Sequence, residues 1–76
     1  MKLAIVIIQD TEVAEILNKL TVNGFSATKL ASTGGFLKTG NTTLIIGTDD
    51  QRVGQLLELL TGATVFVLDV ERFERI

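Results

Sequence analysis

The sequence has no cysteine, no histidine and no tyrosine. Without cysteine, neither disulfides nor a thiolate zinc site can staple a small domain. Without histidine or tyrosine, the chain lacks the side chains that most often carry protons near neutral pH. Charge of one sign is not concentrated anywhere. Seven basic and nine acidic residues are scattered along the chain, for a net charge of −2. With an isoelectric point near 4.9, there is no basic stripe of the kind that displaces counterions from nucleic acid. The longest apolar run, Leu3 to Ile8, is too short to cross a bilayer. Lys2 leads straight into that run, which does not suit a secretory leader. The expectation is a soluble, cytoplasmic protein with neither a nucleic-acid polymer nor a membrane as partner.

What is present is apolar. Of 76 residues, 46% are hydrophobic and only 21% charged. Residues 1–76 make a single domain, near the lower size at which a hydrophobic core holds a chain folded unaided. A chain this small and this apolar either has an unusually greasy surface or buries a second face against copies of itself.

An internal repeat, offset by forty positions, organises the chain. The first copy is Ala4-Ile5-Val6-Ile7-Ile8, then Asp10, then Val13, Ile16, Leu17 and Leu20. The second is Leu44-Ile45-Ile46-Gly47-Thr48, then Asp50, then Val53, Leu56, Leu57 and Leu60. Each is a β-rich run followed by apolar residues at i, i+3, i+4 and i+7, one face of a helix. Asp10 and either Asp49 or Asp50 stand where a carboxylate caps a helix N-terminus. Asn23-Gly24 and Thr61-Gly62 supply left-handed stops. A second strand follows each helix, over 25–31 and 63–68. The resulting βαββαβ order predicts an α+β, ferredoxin-like sandwich: a four-stranded antiparallel sheet with both helices on one face. A parallel sheet would need a further crossover for which the length leaves no room.

The pleat carries this reading towards assembly. Leu3, Ile5 and Ile7 face one side of the first strand, and Ala4, Val6 and Ile8 the other. Leu44 and Ile46 oppose Ile45, and Val65 and Val67 oppose Phe66 and Leu68. Two helices cover one face only, so the other is expected to be an interface between copies of the chain.

Between the second and third strands, Ser32 to Thr43 reads as a loop longer than a hairpin needs. It holds three glycines, five hydroxyl side chains, Asn41 and Phe36. Such a loop suits a ligand with phosphates and an aromatic base, the backbone N–H groups cradling oxygens while Phe36 covers the ring. The spacing Gly35-x-x-x-x-Gly40 is not a P-loop. Asn41 stands where that motif needs lysine, and a strand rather than a helix follows. Nucleotide-hydrolysing and kinase chemistry are set aside on that ground. With no paired-carboxylate motif either, no enzymatic activity is expected.

The segments Ile8-Gln9-Asp10, Phe25 to Leu37, Gly40-Asn41-Thr42-Thr43 and Gly62 to Leu68 resemble the PII-like cyclic-di-AMP receptors over nearly the whole chain. The resemblance implies a homotrimer of ferredoxin-like subunits that binds cyclic-di-AMP in clefts between neighbours, needs no cofactor, and signals to an unidentified downstream protein. It also implies that Thr28, Gly35, Phe36, Leu37, Asn41 and Gly47 line the site, with Phe66 contributing from the last strand. Asn41 would pair with an adenine edge through one donor and one acceptor.

Two departures from the family pattern stand out. Ser26 occupies a position where many members carry a basic residue. Only Thr61 separates Leu60 from Gly62, where members carry a long loop. The second departure opens an alternative, a structural or engineered loop-less trimer with little or no nucleotide binding. The tail Glu71 to Ile76 reads as a packing segment with Phe73 and Ile76 buried, and Arg75 is kept as a candidate phosphate contact.

Overall fold

The computed structural model of the chain describes residues 1–33 and 40–76. Strand β1 (Lys2–Gln9) leads into helix α1 (Val13–Val22), which is followed by β2 (Ala27–Thr33) and β3 (Asn41–Thr48). Helix α2 (Val53–Leu59) and strand β4 (Thr64–Asp69) complete the chain. The sheet order is β2-β3-β1-β4, and every neighbouring pair is antiparallel. This is the ferredoxin-like α+β arrangement that the repeat predicts: two βαβ halves interleave so that β1 and β3 lie side by side at the centre.

The period-two pattern decides which face is covered. Ala4, Val6 and Ile8 of β1, together with Leu44 and Ile46 of β3, are buried against the helices. Ile16 and Leu20 of α1 pack on them, as do Leu56 of α2 and the adjoining Leu60. Truncating one of these fully buried leucines to alanine costs about 2–5 kcal/mol, a large share of what so small a domain has. Gly24 and Gly62 end the helices with φ of 80° and 92°, the left-handed conformation that glycine adopts without strain.

Several details depart from expectation. Neither Asp10 nor Asp49 nor Asp50 caps a helix through its side chain. Each helix is instead preceded by a three-residue 3₁₀ turn, Asp10–Glu12 and Asp50–Arg52. The Asp10 carboxylate accepts a hydrogen bond from Thr42 Oγ1 across 2.5 Å, while its backbone N–H donates to the Gly40 carbonyl at 2.9 Å. Strand β3 therefore begins at Asn41, and Thr42 and Thr43 belong to the ladder rather than to a loop. Leu57 is exposed rather than buried: α2 is rolled so that Leu56 and Leu60 face the sheet, and Leu59 rather than Leu57 joins the packing. Phe73 and Ile76 are not buried either. They are 71% and 118% exposed, because residues after β4 form no regular element that could press them on the core. No helix among the described residues is long and apolar enough to cross a membrane.

Candidate functional site

The face opposite the helices is organised in rows across the strands. Thr28 of β2 pairs with Ile45 of β3, Ile45 with Ile5 of β1, and Ile5 with Phe66 of β4. These four residues form one row over all four strands. In the next row Gly47 pairs with Leu3, and Leu3 with Leu68. No helix covers this face. Phe66 is 55% and Leu68 47% exposed, well above what a buried strand of a monomer presents.

At the Gly47 end the face hollows into an open groove of about 690 Å³, within the size range of small-molecule sites. Its floor is Leu3, Thr28, Ile45 and Gly47, with Ser26 at the margin. The far wall comes from the tail after β4, namely Val70, Phe73, Glu74 and Arg75. Gly47 opens directly onto the hollow. A Cβ built on it meets nothing within 4 Å, and its φ lies outside the left-handed range. The fold of one subunit thus gives no steric reason for glycine there, and glycine inside a strand costs about 0.5–1 kcal/mol relative to alanine.

Two ion pairs lie at the N-terminal end of β1. The N-terminal ammonium of Met1 lies 3.0 Å from Asp50 Oδ1 and holds that carboxyl below its ordinary range. Lys2 pairs with Asp69 across the β1–β4 ladder, and the hydrogen bond to that carboxylate raises the lysine above its ordinary range. In the tail, Glu74 is engaged by Arg72 Nη2 at 2.6 Å. Among the described residues, no ion pair or hydrogen bond engages Arg75. Among the described residues, none form a cluster of acidic, histidine or cysteine side chains fit to hold a metal ion.

The residues expected to line a site divide into four groups. Thr28 and Gly47 share the groove. Phe66 lies on the same face, in the row of Thr28 but on the opposite edge strand. Asn41 stands at the other end of β3, opposite Gln9, beside a smaller cavity of about 290 Å³ shared with Ile7, Gly62 and Thr64. Six residues along an extended strand separate Asn41 from Gly47, about 20 Å. One subunit does not bring them together. Gly35, Phe36 and Leu37 lie outside the described residues. Leu3, Ile45, Phe73 and Glu74 are groove residues that site reasoning from the sequence missed. The alternation of β1 and β3 put the first two on one face of their strands without telling which face the helices cover, whereas no periodicity marks the tail.

The profile of the cyclic-di-AMP receptor family matches residues 1–61. Among solved structures, the chain is similar to a functionally unknown protein from Pediococcus pentosaceus, with 37% identity and a TM-score of 0.83, over 99% of this chain and 96% of that one. It is also similar to CPII from Thiomonas intermedia bound to ADP, AMP and acetate. There the identity is 20% and the TM-score 0.67, over 93% of this chain and 88% of that one. Arabidopsis thaliana PII bound to citrate matches with 17% identity and a TM-score of 0.62, over 99% of this chain and 79% of that one. The last two establish a shared PII-like fold.

Proposed function

The chain belongs to the cyclic-di-AMP receptor family, and from that premise we propose that it is a PII-like signalling protein that binds cyclic-di-AMP between the subunits of a homotrimer. The observation that carries the reading is Gly47. It spends strand stability to keep open a hollow that its own subunit does not fill, which is what a ligand site requires and a core does not. Thr28 supplies a hydroxyl on the same floor. Asn41, about 20 Å away along β3, reaches the same ligand only from a neighbouring subunit, and the open row through Ile5 and Phe66 is the surface on which neighbours pack. Gly35, Phe36 and Leu37 complete the pocket in this reading. No bond is made or broken; binding shifts the population of conformations that a downstream protein meets.

A second reading has its own support. The connection from α2 to β4 is a tight turn in which Ala63 N–H donates to the Leu60 carbonyl at 3.0 Å, with no room for a loop that folds over a ligand. On that reading the chain is a structural trimer with little nucleotide affinity.

Solution mass and calorimetric titration with cyclic-di-AMP separate the two. A trimer with a saturable heat of binding is expected. A monomer overturns the assembly, and a trimer that gives no heat replaces the sensor with the structural reading.

A further inference from the structure

The tail after β4 is the part of the groove for which the family reading gives no role. Its backbone is tied to the body where Val70 N–H donates to the Met1 carbonyl at 3.1 Å. From there the chain runs along the groove without regular structure. Among the described residues, Phe73 is the one aromatic residue lining that groove, and Arg75 the one basic side chain. Both are exposed in the subunit. Phe73 is 71% exposed, and among the described residues Arg75 has no ion-pair partner, Glu74 beside it being engaged by Arg72. Across the hollow stands Ser26, a hydroxyl with no charge to offer an anion.

We propose that the C-terminal segment is a binding element of the groove, with the Arg75 guanidinium pairing a phosphodiester of the bound cyclic dinucleotide and the Phe73 ring packing on an adenine face. The inference rests on the cyclic-di-AMP reading and deepens it. A planar guanidinium offers several donors in a fixed fork that matches phosphate oxygens, and it supplies the cation that Ser26 lacks. An aromatic ring beside it supplies the stacking surface that every base can use.

The test is calorimetric titration of the full chain with cyclic-di-AMP at low and high salt, on the natural sequence and on Arg75→Gln, Arg75→Lys and Phe73→Leu. Loss of one charge-assisted contact weakens binding about tenfold or more in Arg75→Gln, and most of the salt dependence goes with it. Arg75→Lys retains the salt dependence and part of the affinity. Phe73→Leu loses about fivefold or more, with salt dependence unchanged. Because both side chains are exposed, none of these changes is expected to move the thermal midpoint or the solution mass. Equal affinity and equal salt response in Arg75→Gln and the natural sequence overturn the role of the tail while leaving the groove as the site. Failure of the natural sequence to bind overturns both.

Discussion

The Arg52 guanidinium carbon sits 3.9 Å from the centre of the Phe25 ring, and the same guanidinium donates through Nη2 to the Asn23 carbonyl at 2.5 Å. One side chain from the turn that opens α2 thereby closes the C-terminal end of α1. The ring is buried, the carbonyl belongs to the helix stop, and among the described residues the cation has no carboxylate partner. This contact joins the two halves of the repeat on the helix side, as the β1–β3 ladder does within the sheet. Arg52→Ala is expected to destabilise the fold by about 1–3 kcal/mol, from the lost cation–π contact together with the lost hydrogen bond. Arg52→Lys recovers only part, because an ammonium cannot cover the ring and reach the carbonyl as a planar fork does. Urea unfolding midpoints measure both.

Gly47 allows folding to be separated from binding. Because a Cβ there meets only open space, Gly47→Ala is expected to leave stability unchanged or raise it by about 0.5–1 kcal/mol. Gly47→Val fills the hollow further with a residue that favours strands. Both are expected to weaken cyclic-di-AMP binding, the valine by tenfold or more. Destabilisation of the fold by either change would mean that the hollow serves the subunit itself.

Gly54 is the matching control. It lies within α2 with nothing within 4 Å of a Cβ, away from the groove. Gly54→Ala is expected to stabilise by about 0.5–1 kcal/mol through helix propensity alone. Ligand affinity and solution mass should not change, and thermal unfolding with one titration suffices to check this.

The fold was legible because its signals are local. A strand alternates every second residue and a helix every third or fourth, and the chain repeats both. Leu44 to Thr48 and Val53 to Leu60 could therefore be placed without knowing what they touch. What was not legible is tertiary. The partner of Asp10 is Thr42, 32 residues away, so the spacing that marks a cap could not reveal that the carboxylate is drawn to β3 instead. The roll of α2 that exposes Leu57 is set by packing against α1 and the sheet rather than by the sequence of the helix. The candidate groove was legible only in part. Thr28 and Gly47 do meet in one groove, but the tail that forms its wall carries only alternating charges, and a pattern of that kind reads equally well as solvated chain.

The open sheet face makes a prediction about assembly. Ile5, Ile45 and Phe66 form an apolar row that no helix covers. A serine at position 66 removes the most exposed aromatic surface of that row. Phe66→Ser is expected to shift the sedimentation profile from trimer towards monomer, because burying one such ring is worth about 1.5–3 kcal/mol at each copy of the interface. The urea midpoint of the monomer should change little, since the ring is already 55% exposed in the subunit. A trimer of undiminished stability would place the contact between copies elsewhere.

Asn41 and Gly47 allow the most direct test of a shared site. On the proposed function, Asn41→Ala removes a side chain that pairs with an adenine edge, and the unpaired contact is expected to cost about 1–3 kcal/mol, roughly five- to 150-fold in affinity. The two residues lie at opposite ends of β3, about 20 Å apart, so a pocket that uses both takes them from different subunits. Asn41→Ala and Gly47→Val chains are each expected to bind poorly alone. Unfolded together in equal amounts and refolded, they form mixed trimers in which about a quarter of the interfaces join an intact Asn41 to an intact Gly47. Those interfaces bind with the natural affinity, and calorimetry then reads about a quarter of the sites restored. If both residues served one site within one subunit, mixing would restore nothing. Recovery of binding on mixing, with none in either parent, therefore requires a pocket that spans two subunits.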